Sequence, residues 1–205
     1  GDCNLMIQHT FGLLTRPSAQ WRTIADLPED SFRTLLLYPC FLAILPAVAW
    51  YYGTSRVGWT VGDQGETIKL TVESARQITI LFYLAMLGSV AVIGYFVHWM
   101  SDTYGANSSL TKGIVIVGLT ATPLFIAGLV GFYPLLWIDL LIGVAAVSWS
   151  VYLLYLGIPI VMGIPEERGF LFSSAVVGVA LVILICMMVG SVILWDYGAA
   201  PAFTD

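Results

Sequence analysis

Charge is scarce in this sequence. Only 10% of its 205 residues are Asp, Glu, Lys or Arg, while 59% are hydrophobic; a soluble domain carries about 25% charged residues. So much apolar surface cannot be hidden in one soluble core of this length, so the chain reads as a membrane protein. Eight Lys and Arg residues and a net charge of -5 exclude the basic footprint of a nucleic-acid partner. No polybasic cluster marks an anionic-lipid patch. The two histidines, His9 and His98, are far apart and form no HExxH site. Cys3, Cys40 and Cys186 are odd in number, lack CxxC spacing, and two lie in apolar runs, which argues against a disulfide framework. The nearest string to a phosphate loop, GANSSLTKG, lacks its Gly-Lys pair, and no GxSxG elbow occurs. The chain is read as a non-enzyme with no cofactor or metal. It opens with Gly, so GDC reads as a processing or cloning remnant, and no basic region followed by an apolar run marks a secretory signal.

What is present is long apolar runs. A hydrocarbon core of about 30 Å needs roughly 20 helical residues. Five stretches meet that demand, at about residues 34–53, 78–100, 113–132, 135–158 and 170–195. The expected fold is therefore all-α: five transmembrane helices, with a tight hairpin between the third and fourth at Tyr133-Pro134. Residues 1–33 are too polar to span. Within them Pro17 opens a short helix, and Trp21, Ile24, Ala25 and Leu27 make one apolar face. That face suits either the membrane surface or the end of the bundle. Residues 53–77 carry two alternating runs around Gly-Asp-Gln-Gly, a hairpin pattern, and the second helix is expected to begin early, from Val72. With the N-terminus inside, Arg16, Arg22, Arg33, Lys112 and Arg168 fall on the cytoplasmic side. Arg56, Lys69 and Arg76 fall outside, so the lean is N-terminus in and C-terminus out, with 196–205 an external tail.

Ionisable groups inside a membrane are functional candidates because burying charge there is costly. Asp139 sits about one turn into the fourth span; it could bind a cation or proton with Asp196, or simply favour the helix dipole. His98 and Asp102, one turn apart, could share a proton or form a solvated helix end. Glu166 and Glu167 in GIPEERG could meet a partner or form an ordinary charged turn. Pro123, inside GLTATPLFIAGLVGFYPLLW, must kink or open the third helix and free the carbonyl of Leu119. Thr120 and Thr122 supply hydroxyls that can satisfy freed backbone groups. Pro39, Pro46 and Pro159 predict further breaks in the first and fourth spans. Small residues recur along the second, third and fifth helices, a pattern that drives helix association in lipid.

ATPLFIAGLVGFYPLLW and YLLYLGIPIVMGIPEERGFLFSSAVVG resemble the Yip domain family, named for Ypt-interacting proteins, in its bacterial inner-membrane branch. The likeness runs from FGLLTRPSAQW to VILWDYG, and GIP-x-x-MGIPEE-x-G-x-x-FS is its most specific part. Thr122, Pro123, Tyr152, Gly157, Pro159, Pro165 and Glu166 match the pattern; Asp139 is not tied to it. The resemblance implies five membrane helices, a cytoplasmic N-terminus and an external C-terminus. Eukaryotic relatives engage Rab-type GTPases, but their long N-terminal region has no counterpart in the thirty or so residues before the first span here, so a GTPase partner is not supported. The reading is a non-enzymatic inner-membrane protein that organises membrane lipid or serves as a scaffold, self-associating through small-residue faces. The rival readings are a small transporter or ion pathway, or a lipid scramblase, built on Asp139, Thr120, Thr122 and the Pro123 kink.

Overall fold

The computed structural model describes residues 2–60 and 65–204, with side chains described from residue 4 onward. Four helical stretches are long and apolar enough to cross a bilayer: Glu29–Val57, Val72–Tyr104, Leu136–Met162 and Glu166–Ala199. The pair Leu110–Thr120 and Thr122–Phe132, bent by 41°, together is long enough for a fifth. Among the described residues the chain is all-α apart from one small hairpin and an isolated bridge between Leu70 and Phe203.

The first span is segmented into α3 (Glu29–Leu35), α4 (Tyr38–Leu42) and α5 (Ile44–Tyr52), followed by a π turn at Gly53–Val57. Its breaks fall just ahead of Pro39 and Pro46, where each ring blocks continuation of the preceding turn. The second span, α6 (Val72–Ser101), starts early as expected, because Thr71 caps it by accepting the Ser74 amide at 3.3 Å. The third is α7 (Leu110–Thr120), capped by Ser109, then α8 (Thr122–Ala127) and a 3-10 turn to Phe132. Only Tyr133, Pro134 and Leu135 separate it from the fourth span, α9 (Leu136–Met162), and the two pack as a hairpin. Pro159 does not break α9, contrary to expectation. It lies a few residues before the end at Gly163, whose φ of 65° suits glycine, and its ring packs on Gly169. The fifth span is α10 (Glu166–Leu194).

Close backbone approach holds the centre. A Cβ at Gly113 of α7 would overlap the Gly94 carbonyl oxygen of α6, and one at Gly94 would lie 2.5 Å from Ile114 Cα. The third span also seats the first: Gly118 faces Pro39, Gly128 faces Pro46 and Gly131 faces Trp50. Without a hydrophobic drive between helices in lipid, such van der Waals fit is the main source of association.

Two helices precede the first span: α1 (Asp2–Thr15) and α2 (Pro17–Ala25). The expected apolar face of α2 turns toward α9, with Trp21 and Ile24 fully buried and the Trp21 ring against Gly157. The first helix, α1, was not foreseen. Its Leu13 carbonyl accepts Trp149 Nε1–H at 3.3 Å, which sets its end beside the middle of α9.

At the opposite end of the bundle, β1 (Trp59–Thr60) pairs antiparallel with β2 (Thr67–Ile68). Gly62, Asp63 and Gln64 of the expected turn lie outside the described residues. The tail folds back onto this hairpin: Thr71 donates its amide to Ala202 O and Thr204 donates to Lys69 O, both at 2.9 Å. Phe203 meets the Trp59 ring edge-on at 6.2 Å.

Candidate functional site at the bend of the third span

Pro123 has no N–H to give Leu119, and the sequence supplies a substitute beside it. Thr122 Oγ1 donates to Leu119 O at 2.6 Å. A hydroxyl has one proton, so Thr122 then accepts from Tyr38 Oη, 2.7 Å away. Tyr38 Oη in turn stands 2.9 Å from Thr10 Oγ1, whose own proton is shared between that oxygen and Met6 O at 2.9 Å. The bend thus anchors a polar column through three segments, α1, α4 and α8. Thr122 and Tyr38 are both fully buried. Thr120 does not take the expected part, since its Oγ1 is buried without a partner.

An apolar groove of about 340 Å³ runs beside the bend, lined by Leu14, Pro123, Ile126, Ile142, Ala146 and Trp149 among others. Trp149 is the one lining residue with a polar side-chain group, and its indole N–H is engaged by Leu13 O. Pro123 reaches this groove; Thr122 does not.

The N-terminal pair closes over the same region. His9 is 2% exposed, with Nδ1 hydrogen-bonded to Gln20 Nε2 and Nε2 without a partner. Burial pushes its imidazole down from the usual value, which favours the neutral ring. The Trp21 indole N–H and Ser150 hydroxyl are also buried without partners.

The other candidates do not assemble into one site. Asp139 is half-buried in the first turn of α9, its amide bonded to Leu135 O and its Oδ1 buried without a partner. Asp196 is exposed in the turn after α10, a turn that packs on α6, and among the described side chains no hydrogen bond joins it to Asp139. His98 is half-buried and Asp102 exposed, with no bond between them. Glu166 and Glu167 are exposed in the first turn of α10. Beside them Arg168 lies over Gly105, and Phe172 stacks on Tyr104 at 4.9 Å, so α10 is docked on the loop after α6.

Sequence reading missed Tyr38, Thr10, His9 and Gln20. Tyr38 carried a signal, as the one hydroxyl in the apolar run LLLYPCF; the others lie in a segment whose packing no periodicity announces.

Comparison with known proteins agrees with this architecture. The model of the Yip1 domain matches residues 11–187. The chain is 36% identical over 192 residues to the inner membrane protein YohC of Escherichia coli strain K12, covering 94% of this chain and 98% of the relative. The same values hold for YohC of Escherichia coli O6:H1. No solved structure matches. The protein is multi-pass, of the bacterial inner membrane, and non-enzymatic in kind. From the N-terminal helices to most of the last span, the chain belongs to the Yip1 domain family.

Proposed function

We propose that this protein organises the inner membrane or scaffolds other components there, with its N-terminus cytoplasmic, its tail periplasmic, and copies associating through small-residue helix faces. The observation carrying the proposal is the sealed bend. A transport route needs polar groups reachable from one side, whereas Thr122 is fully buried and committed to Leu119 and Tyr38. The adjoining groove is apolar, which favours hydrocarbon over ions or headgroups. Self-association draws support from Gly88, Gly143, Gly178 and Gly190, where an added Cβ would meet nothing within 4 Å. Glycine weakens a helix by about 1 kcal/mol relative to alanine, and these four gain no contact inside one copy. The orientation draws support from the basic residues, five against three.

The ion-pathway reading has one observation in its favour, the unpartnered Oδ1 of Asp139. Reconstitution decides between the two. Full-length protein in liposomes is expected to pass neither ions nor labelled lipid, and photobleaching of labelled protein is expected to reveal more than one copy per spot. Ion flux abolished by Asp139→Asn would overturn the proposal, as would lipid scrambling.

A further inference from the structure

His9 occupies a setting that tolerates only one protonation state. His9 Nδ1 is hydrogen-bonded to the Gln20 side-chain amide, and Nε2 is buried without a partner. A neutral ring can serve that amide with Nδ1 as either donor or acceptor. Protonating the ring makes both nitrogens donors, and the N–H at Nε2 has no acceptor. It would also place a full charge in a space almost closed to solvent.

Among the described side chains, no neighbour is arranged to offset that charge. From α2 and the link before it come only Arg22 and Arg16, both exposed. From α4 comes Tyr38, whose hydroxyl is held by Thr10 and Thr122. The helix α8 carries no ionisable residue. Along α9, Tyr155 is bonded to Ser174, Tyr152 is exposed, and Asp139 lies ten residues from Trp149, about 15 Å along the axis. On α1 itself, Asp2 stands two turns before His9. Among the described side chains no carboxylate bonds to the ring.

The same short helix makes the contacts that hold it: Thr10 to Tyr38, and the Leu13 carbonyl to Trp149. We propose that α1 is an acid-released latch, docked while His9 is neutral and undocked when it is protonated, parting Thr10 from Tyr38 and uncovering Tyr38, Thr122 and the groove beside Pro123. The docked form disfavours the proton, so its stability is complete above the free imidazole value of 6.5. It declines as pH falls below that value toward the lowered value of the docked ring. Within that window the undocked-to-docked ratio grows about tenfold per pH unit.

The test uses full-length protein in nanodiscs, with Cys3, Cys40 and Cys186 replaced by Ala and spin labels at Ile7→Cys and Val147→Cys, both exposed positions. One short distance is expected at about pH 8, with a longer population growing as pH is lowered toward about 4.5. His9→Gln, which keeps a polar hydrogen-bonding group but cannot charge, is expected to hold the short distance throughout. Gln20→Glu, which sets a carboxylate against the charged ring, is expected to keep α1 docked to lower pH than the native chain. A distance distribution unaffected by pH, or an acid response that survives His9→Gln, overturns the latch. Should His9→Gln fail to assemble, an acid profile unaltered by Gln20→Glu overturns it alone.

Discussion

The first and fifth spans are both apolar, yet 44% of the first span's most apolar window is buried inside the protein against 6% of the fifth's. The fifth is the more apolar of the two. In water that relation would be inverted, since burial follows hydrophobicity. In lipid the solvent is itself apolar, so a helix facing outward needs only hydrocarbon side chains. The first span instead carries shape and polarity: Pro39 and Pro46 seated on glycines, and Tyr38 bonded inward. From Val177 to Leu194, α10 has no buried residue, and Gly178 and Gly190 stand open. Burial in this bundle follows fit and hydrogen bonding, and hydropathy alone is a guide to the membrane and not to the core.

That contrast can be broken most forcefully at the α6–α7 contact. Gly113→Leu would drive a side chain into the Gly94 backbone, and the loss is expected to be about 3 kcal/mol or more. It should appear in detergent as a lowered thermal midpoint or as failure to yield folded protein. Tyr38→Phe tests the polar half of the argument. It leaves Thr10 without its Tyr38 partner and Thr122 without its donor, at a cost of about 1–2 kcal/mol by thermal unfolding. The smallest effect is expected on the fifth span, where a Cβ added at Gly178 meets nothing within 4 Å. Gly178→Leu should not lower the folded stability and should raise it by up to about 1 kcal/mol through helix propensity. The number of copies per photobleached spot is the property expected to fall.

Much of this was readable beforehand. Pro123, Tyr133-Pro134 and the early start at Val72 act through their own turn of backbone, so their bend, hairpin and helix start could be foreseen from neighbouring residues. The Thr122 hydroxyl replacing the proline's missing donor is equally local, three residues from Leu119. Pro159 was misjudged because a proline close to a helix end disturbs little. Thr120 could not be told from Thr122 by composition, since the two differ in which face of the bend they occupy. His9 and Gln20 were unreadable because their contact is made by two short helices folding against each other.

By itself the sequence determined the membrane, the number of apolar stretches and the bend, because each is set by composition or by adjacent backbone. It also carried the family likeness in its proline- and glycine-rich stretches. Only the tertiary structure decided which apolar helix would be core and which would face lipid, because that choice depends on complementary shapes far apart in the chain, such as Pro39 on Gly118 and, 84 residues apart, Tyr38 on Thr122. It alone decided that the N-terminal helices join the bundle at His9 and Trp21, whose burial depends on two short helices folding against each other and onto α9.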